Sequence, residues 1–460
     1  MKYVSTRDAQ SAKQVTASQA IVNGLAPDGG LYVPVEFPKL SNFIGLPYEK
    51  LALEILKLYL TDFSEDELKT YISAAYSQNL PVALHNEYIE LFHGRTAAFK
   101  DVALQLYPHL LTASLRKNNV AKTAVVLVAT SGDTGSAVIA GMANVPQTRA
   151  IVFYPHGGVS EVQKLQMATQ EGDNIKVFAI QGNFDDAQSA VKSMFENDKF
   201  RAKFAKKFTF TSANSINLAR LIPQIVYYFY SYSQAVKLGQ IQEGQPINFS
   251  VPTGNFGNIL AGYYAGKMGL PIHRLICATN SNDVLHDFIQ TGKYDKNRQF
   301  HLTISPSMDI LISSNLERLI HDLHGSQATI EAYQSLKATG TFTASLTPQF
   351  TSERISEEET LAIIKEIHDT ENYILDPHTA VAKAAQIKYQ SRTNDATPTL
   401  ILATASPYKF AESIEKILPS NALNSPPESM KNLSSKPILH TEVISIYSME
   451  EEVGGFLNAN

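Results

Sequence analysis

One cysteine in 460 residues, Cys277, rules out an internal disulfide. Its neighbours, "RLICATN", read as a buried strand, so the thiol is expected in the core. Neither sign of charge dominates: 39 Lys+Arg stand against 44 Asp+Glu for a net of -5, with no basic arm and no run of like charges. Nucleic acid and an anionic membrane surface are therefore not expected as partners. No apolar run reaches about 18 residues, and the opening "MKYVSTRDAQ" lacks the charged and then apolar order of a signal peptide. A soluble cytoplasmic protein is the expectation, as a monomer or homodimer and without a metal site. Solenoid repeats and low-complexity tracts are missing too. So are the common nucleotide fingerprints: there is no G-x-x-x-x-G-K-S/T, and no G-x-G-x-x-G followed by an acidic residue at the expected offset.

What is present is a repeated unit. "KTAVVLVATSGDTGSAVIAGMA" runs from β-branched residues through a Ser/Gly/Asp/Thr turn into a small-residue helix, and "PINFSVPTGNFGNILAGYYAGKMG" and "PTLILATASPYKFAESIEKIL" do the same. Near-continuous apolar strands alternating with helices predict an α/β fold with parallel sheets covered on both faces. Ligands in such sheets sit at the carboxyl ends of the strands, where these polar turns fall. A hydrophobic content of 44% is enough for more than one core. The expected division is a smaller N-terminal domain over 1–87, marked by "GLAPDGGLYVP" and helical "YEKLALEILKLYL", then α/β domains over 88–215 and 216–460. "SNALNSPPESMKNLSSKP" reads as a polar linker to a tail.

Two local features carry chemistry. In "LFHGRTAAFKDVALQ", a helix from Ala97 would place Asp101, Gln105, His109, Thr112 and Arg116 on its wet face. Lys100 falls on the other side, in line with Leu104, Tyr107, Leu111 and Leu115, although Pro108 should kink or end the helix near Tyr107. In "PTGNFGNIL", Gly254 and Gly257 allow close backbone approach, and Gly257, Asn258 and Ile259 can present unpaired amides to an anion. Each has a plainer reading, a lysine snorkelling to water and an ordinary glycine-rich turn. Together they suggest pyridoxal phosphate, whose aldehyde needs an amine held neutral in an apolar site.

Seven segments, "GLAPDGGLYVP", "LFHGRTAAFKDVALQ", "ATSGDTGSA", "SANSINLARLIPQIVYYF", "PTGNFGN", "SMDILISSNLERL" and "LDPHTAVA", occur in the order and spacing found in threonine synthases of the longer type. The chain resembles that family from Gly24 to about Phe410. The resemblance implies the tryptophan-synthase-β-like fold, with two α/β domains closing over the cofactor. It also implies conversion of O-phospho-L-homoserine and water to L-threonine and phosphate. It assigns Lys100 as the cofactor lysine, Gly254, Asn255, Phe256, Gly257 and Asn258 as the loop around the cofactor phosphate, Thr404 opposite the pyridine nitrogen, and Asp133 opposite the ring's 3-oxygen. Ser131 and Thr134 are expected to donate to the substrate carboxylate, or else to cap a helix. Asn217 and Arg220 are expected on one helical face as substrate contacts, with a structural ion pair as the other reading of Arg220. His378 reads as a structural histidine or a proton carrier, and Met308 and Asp309 as packing and capping.

The chain departs from the family pattern at two places. Arg95 stands where a proline is usual, and "TASPYKF" replaces "TAHPAKF", putting Ser406 in a histidine's place. Arg95 is accordingly expected to supply charge for the substrate phosphate. Two alternatives to the synthase follow: a lyase of the same fold that releases 2-oxobutyrate, and a cofactor- or amino-acid-binding regulator without turnover.

Overall fold

The computed structural model describes every residue except Ser11, Asn79, Ser420, Asn424 and Asn460, and all but the side chain of Asp185. Ser420 and Asn424, in the expected polar linker, thus lie outside the described residues. A small N-terminal unit comes first. Tyr3–Ser5 pairs antiparallel with Tyr32–Pro34, and three helices follow or intervene: Ala17–Asn23, Tyr48–Tyr59 and Glu65–Tyr76. Thr16 and Ser64 each begin a helix with a reciprocal capping box, so these boundaries are set by local sequence.

Two larger sheets make up the rest. The six-stranded sheet has the order Phe350–Arg354, Ile272–Thr279, Ile247–Pro252, Thr399–Ala403, Tyr88–Glu90, Ala83–His85, parallel except for the last hairpin. The five-stranded sheet has the order Val443–Ser445, Ile175–Gln181, Thr148–Pro155, Thr123–Ala129, Phe208–Thr211 and is wholly parallel. The chain shares its strands across the expected domain limits: Tyr88–Glu90 joins the larger sheet before the chain enters the smaller one, and the tail strand Val443–Ser445 returns to the smaller one.

Both sheets are apolar on both faces, as the continuous runs predicted. Along Thr123–Ala129, Ala124, Val126 and Val128 face the central core, while Val125 and Leu127 face a second core under the helices Phe184–Glu196 and Met449–Asn458. Along Ile272–Thr279, Leu275 and Cys277 face the central core, while Ile276 and Ala278 face a third. Cys277 is therefore core, its thiol pushed up to about 12 by burial. The central core fills the space between the sheets and extends into the N-terminal helices. Among the described residues no helix is long and apolar enough to cross a membrane.

Candidate active site

The carboxyl ends of three strands and one loop converge on Lys100. After Tyr88–Glu90 the chain turns through Ala97, whose φ of 54° is left-handed for a residue with a Cβ, and enters the short helix Lys100–Leu104. The turn after Thr399–Ala403 clamps this loop: Phe99 N donates to Thr404 O at 2.8 Å, and Ser406 N donates to Ala97 O at 3.0 Å. Lys100 is 9% exposed. The apolar stripe is as expected, with Leu104, Tyr107, Leu111 and Leu115 all buried. The wet face needs correction at its first turn, where Asp101 and Gln105 are buried as well. Asp101 accepts from Thr96 N and Thr96 Oγ1, both at 2.8 Å, and Gln105 donates to Ala75 O at 3.0 Å, so polar partners replace water. The helix breaks after Leu104 and resumes as Tyr107–Lys117, with Pro108 in its first turn where no amide is needed.

The Lys100 amine lies 3.3 Å from Asp133 Oδ2 and 3.1 Å from Ser307 Oγ. Asp133 opens the helix Asp133–Met142, and its other oxygen accepts from Gln163 Nε2 and Lys409 Nζ, both at 2.9 Å. Burial alone would raise this carboxyl, but Lys409 and then Lys100 hold it well below the usual carboxylate range. Burial lowers the Lys100 amine, although Asp133 opposes that shift. Thr130 Oγ1 caps the turn by accepting from Gly132 N at 3.0 Å and Gly135 N at 2.9 Å. With that role filled, the side chains of Ser131 and Thr134 make no hydrogen bond among the described residues.

Opposite lies the loop Gly254 to Asn258. Phe256 takes a left-handed φ of 64° and starts the helix Gly257–Met268. The first bond back onto Phe256 O comes from Leu260 N at 3.0 Å, leaving the amides before it outside the helical ladder. Asn315 and Ser313 brace the loop, through bonds to Asn255 O at 3.0 Å and to Gly254 O at 2.7 Å. A Cβ on Gly254 would come within 2.6 Å of Ser307 O, which is the physical reason for that glycine. Asn258 Oδ1 accepts from Tyr227 and Tyr228, while its Nδ2 is buried without a partner. Arg220 is 3% exposed; one terminal nitrogen donates to Ala213 O at 2.6 Å and its Nε has no partner. It joins no ion pair among the described residues, burial draws its guanidinium down to about 10, and its charge is felt at Lys100. Unpartnered buried donors and a glycine cradle beside a buried amine fit an anionic aldehyde cofactor such as pyridoxal phosphate.

His378 is a brace. Its Nδ1 lies 2.8 Å from Asp376 Oδ1, and its Nε2 accepts from Ser307 N at 3.1 Å, so the ring carries its proton on Nδ1 and holds Ser307 at Lys100. Asp309 braces the same loop, accepting from Asn280, Asn282 and Thr303, and Met308 is packed. Two expected contacts are not brought to Lys100. Asn217 is the cap of the helix Leu218–Lys237, not part of it, and its side chain bonds to Ile21 O, Ser212 O and Ala219 N. Arg95 is exposed, its charge is felt at His109, and no hydrogen bond or ion pair among the described residues joins it to buried Ser406. Lys409, Ser307 and Gln163 escaped the sequence reading. Lys409 is the lysine kept in the altered "SPYKF"; Gln163 was hidden in the capping box of Ser160, which it completes while also holding Asp133.

Three family profiles match in order: "Threonine synthase N terminus" over residues 2–76, "Pyridoxal-phosphate dependent enzyme" over 88–405 and "Threonine synthase, C-terminal" over 379–452. The threonine synthase of Pseudomonas aeruginosa is 42% identical over 439 residues, 90% of each chain. Among solved structures, yeast threonine synthase superposes with a TM-score of 0.90 at 35% identity, covering 100% of this chain and 99% of that one. The pyridoxal-phosphate-bound threonine synthase from Brucella melitensis gives 0.87 at 35% identity, with 99% of both chains covered. By profile, sequence and fold, this chain belongs to the threonine synthase family of pyridoxal-phosphate-dependent enzymes.

Proposed function

We propose that the protein converts O-phospho-L-homoserine and water to L-threonine and phosphate. The observation that carries the proposal is the buried Lys100 amine held between Asp133 Oδ2 and Ser307 Oγ, facing a glycine loop with unpartnered donors. Lys100 would hold the cofactor, Gly254 to Asn258 its phosphate, Thr404 its pyridine nitrogen and Asp133 its 3-oxygen. The Thr404 hydroxyl makes no hydrogen bond among the described residues, which supports a ligand partner. When bound, the pyridoxal ring supplies an electron sink for carbanions next to the substrate's amine.

The chain's own groups supply the rest. The Lys100 amine would be placed to take the substrate's Cα proton and then a Cβ proton. Ser131 and Thr134 hydroxyls, left free by Thr130, orient the substrate carboxylate. Arg220 offers its unpaired Nε to an anion, in keeping with a phosphate that leaves Cγ before water adds at Cβ. Asn217 and Arg95 are left out, since the first caps a helix and the second faces outward. The proposal includes a cytoplasmic setting and a monomer or homodimer.

Purified protein given O-phospho-L-homoserine should release phosphate and threonine in equal amounts. Phosphate matched by 2-oxobutyrate would make it a lyase, and no product at all would make it a binding protein.

A further inference from the structure

The turn Pro407–Phe410 carries a second lysine into the site. Lys409 is fully buried, with its Nζ 2.9 Å from Asp133 Oδ1 and 2.8 Å from Thr96 O. Lys100 meets the other oxygen of the same carboxylate at 3.3 Å, and Ser307 Oγ at 3.1 Å. The charged or titratable groups facing the two amines are Asp133, Arg220 from the helix Leu218–Lys237, His378 from the helix Pro377–Thr393, and Asp101, which Thr96 holds. Two carboxylates, Asp133 in direct contact and Asp101 through Thr96, thus stand against two amines and a guanidinium where solvent is nearly excluded. Keeping all three cations charged against two anions leaves a buried excess of positive charge, which is costly, so one amine gives up its proton. Geometry selects which one. Lys409 faces a carboxylate and a carbonyl, which only accept, at short range. Lys100 faces the carboxylate at longer range and a hydroxyl, which can donate to a neutral amine.

We propose that Lys409 is a positioning residue: by engaging the charge of Asp133 it leaves Lys100 a neutral amine, ready for the cofactor's aldehyde. This rests on Lys100 being the cofactor lysine. An amine condenses with an aldehyde through its lone pair, forming a C=N bond and releasing one water; an ammonium must first lose a proton. Burial lowers the Lys100 amine, Asp133 raises it, and Lys409 and Arg220 lower it further. Lys409→Met removes a cation and leaves the Asp133 charge to Lys100 alone. Both changes raise the pKa of Lys100 and shrink its neutral fraction at pH 7.

The test compares apoenzymes of the wild type, Lys409→Met, Lys409→Arg, Asp133→Asn and the Asp133→Asn/Lys409→Met double variant. Two pH profiles are recorded for each: the rate of pyridoxal phosphate uptake by absorbance, and acetylation of the Lys100 peptide by acetic anhydride, read by mass spectrometry. Lys409→Met should move both midpoints up by about one unit or more, slowing uptake at neutral pH by roughly tenfold. Lys409→Arg should stay near the wild type, Asp133→Asn should move the midpoint down, and the double variant should lose the upward shift. Unmoved midpoints in Lys409→Met, or an upward shift that persists in the double variant, would overturn the inference. If Lys409→Met does not fold, the charge-keeping Lys409→Arg and the charge-balanced double variant decide it: a shift in the former or an upward shift in the latter defeats it. Borohydride fixation of the cofactor on a lysine other than Lys100 would instead defeat the proposed function beneath it.

Discussion

Lys100 joins burial, a carboxylate and a hydroxyl through one nitrogen, so removing that nitrogen tests the chemistry with little loss of packing. Lys100→Ala should cut turnover by at least about 10³-fold, because the cofactor's attachment and the proton carrier are lost together. Circular dichroism should stay native, and borohydride should no longer fix pyridoxyl to the peptide spanning this position. Turnover within tenfold of the wild type would remove Lys100 from the reaction. The burial of this lysine was legible because a charge among Leu104, Tyr107 and Leu111 breaks the helical pattern. Lys409 gave no such signal: "PYKF" folds as a 3-10 turn, which has no face for a charge to violate. Asn217 misled for a related reason. Spacing of three implies a shared face only inside a helix, and Asn217 stands one residue before its start, where a side chain turns back onto backbone amides.

Within an element, the decisive information is often how close another backbone comes, and periodicity does not carry that. The two glycines of "PTGNFG" look alike in sequence. In the fold, a Cβ on Gly254 would lie 2.6 Å from Ser307 O and 3.3 Å from Met308 Cα, both backbone, whereas a Cβ on Gly257 would meet side chains alone, Asn315 at 3.4 Å and Ser215 at 3.8 Å. Gly254→Ala must therefore push apart the loop and the segment that places Ser307 at Lys100, at about 1–3 kcal/mol for overpacking. Gly257→Ala fits with at most a small side-chain adjustment. Thermal unfolding of the two apoenzymes should show a clear drop in Tm for Gly254→Ala and almost none for Gly257→Ala; equal drops would mean the loop yields at both places. The same limit explains the wet face of the Lys100 helix. Its apolar stripe followed from spacing, but Asp101 and Gln105 are buried by partners at Thr96 and Ala75 that only the tertiary fold supplies.

At the scale of the whole molecule, alternating strands and helices announced parallel sheets, but not that the tail would cross back to the smaller sheet or how the N-terminal unit would reach the site. One side chain makes that second connection. Arg318, fully buried near the start of the helix that follows Asn315, donates from Nε to Tyr32 O at 2.9 Å in the N-terminal unit and from a terminal nitrogen to Ile216 O at 2.5 Å. Its other terminal nitrogen holds Asn315 Oδ1, and Asn315 in turn donates to Asn255 O in the glycine loop. Beside it, Glu317 accepts from Thr6 and Arg7, a second tie to the N-terminal unit. Arg318 thus links three segments far apart in the chain, and a planar fork is what lets one residue do so. Arg318→Ala would strand a buried carbonyl at Tyr32 and a part-buried one at Ile216 and open a cavity, at roughly 3 kcal/mol or more. Arg318→Lys keeps the charge but has no fork, so it should recover little. Because Asn315 loses its clamp in both variants, the affinity for pyridoxal phosphate should fall along with the urea midpoint, although Arg318 is assigned no contact with the cofactor. A variant that loses stability but binds the cofactor as tightly as the wild type would show that the N-terminal unit is joined to the fold without supporting the glycine loop.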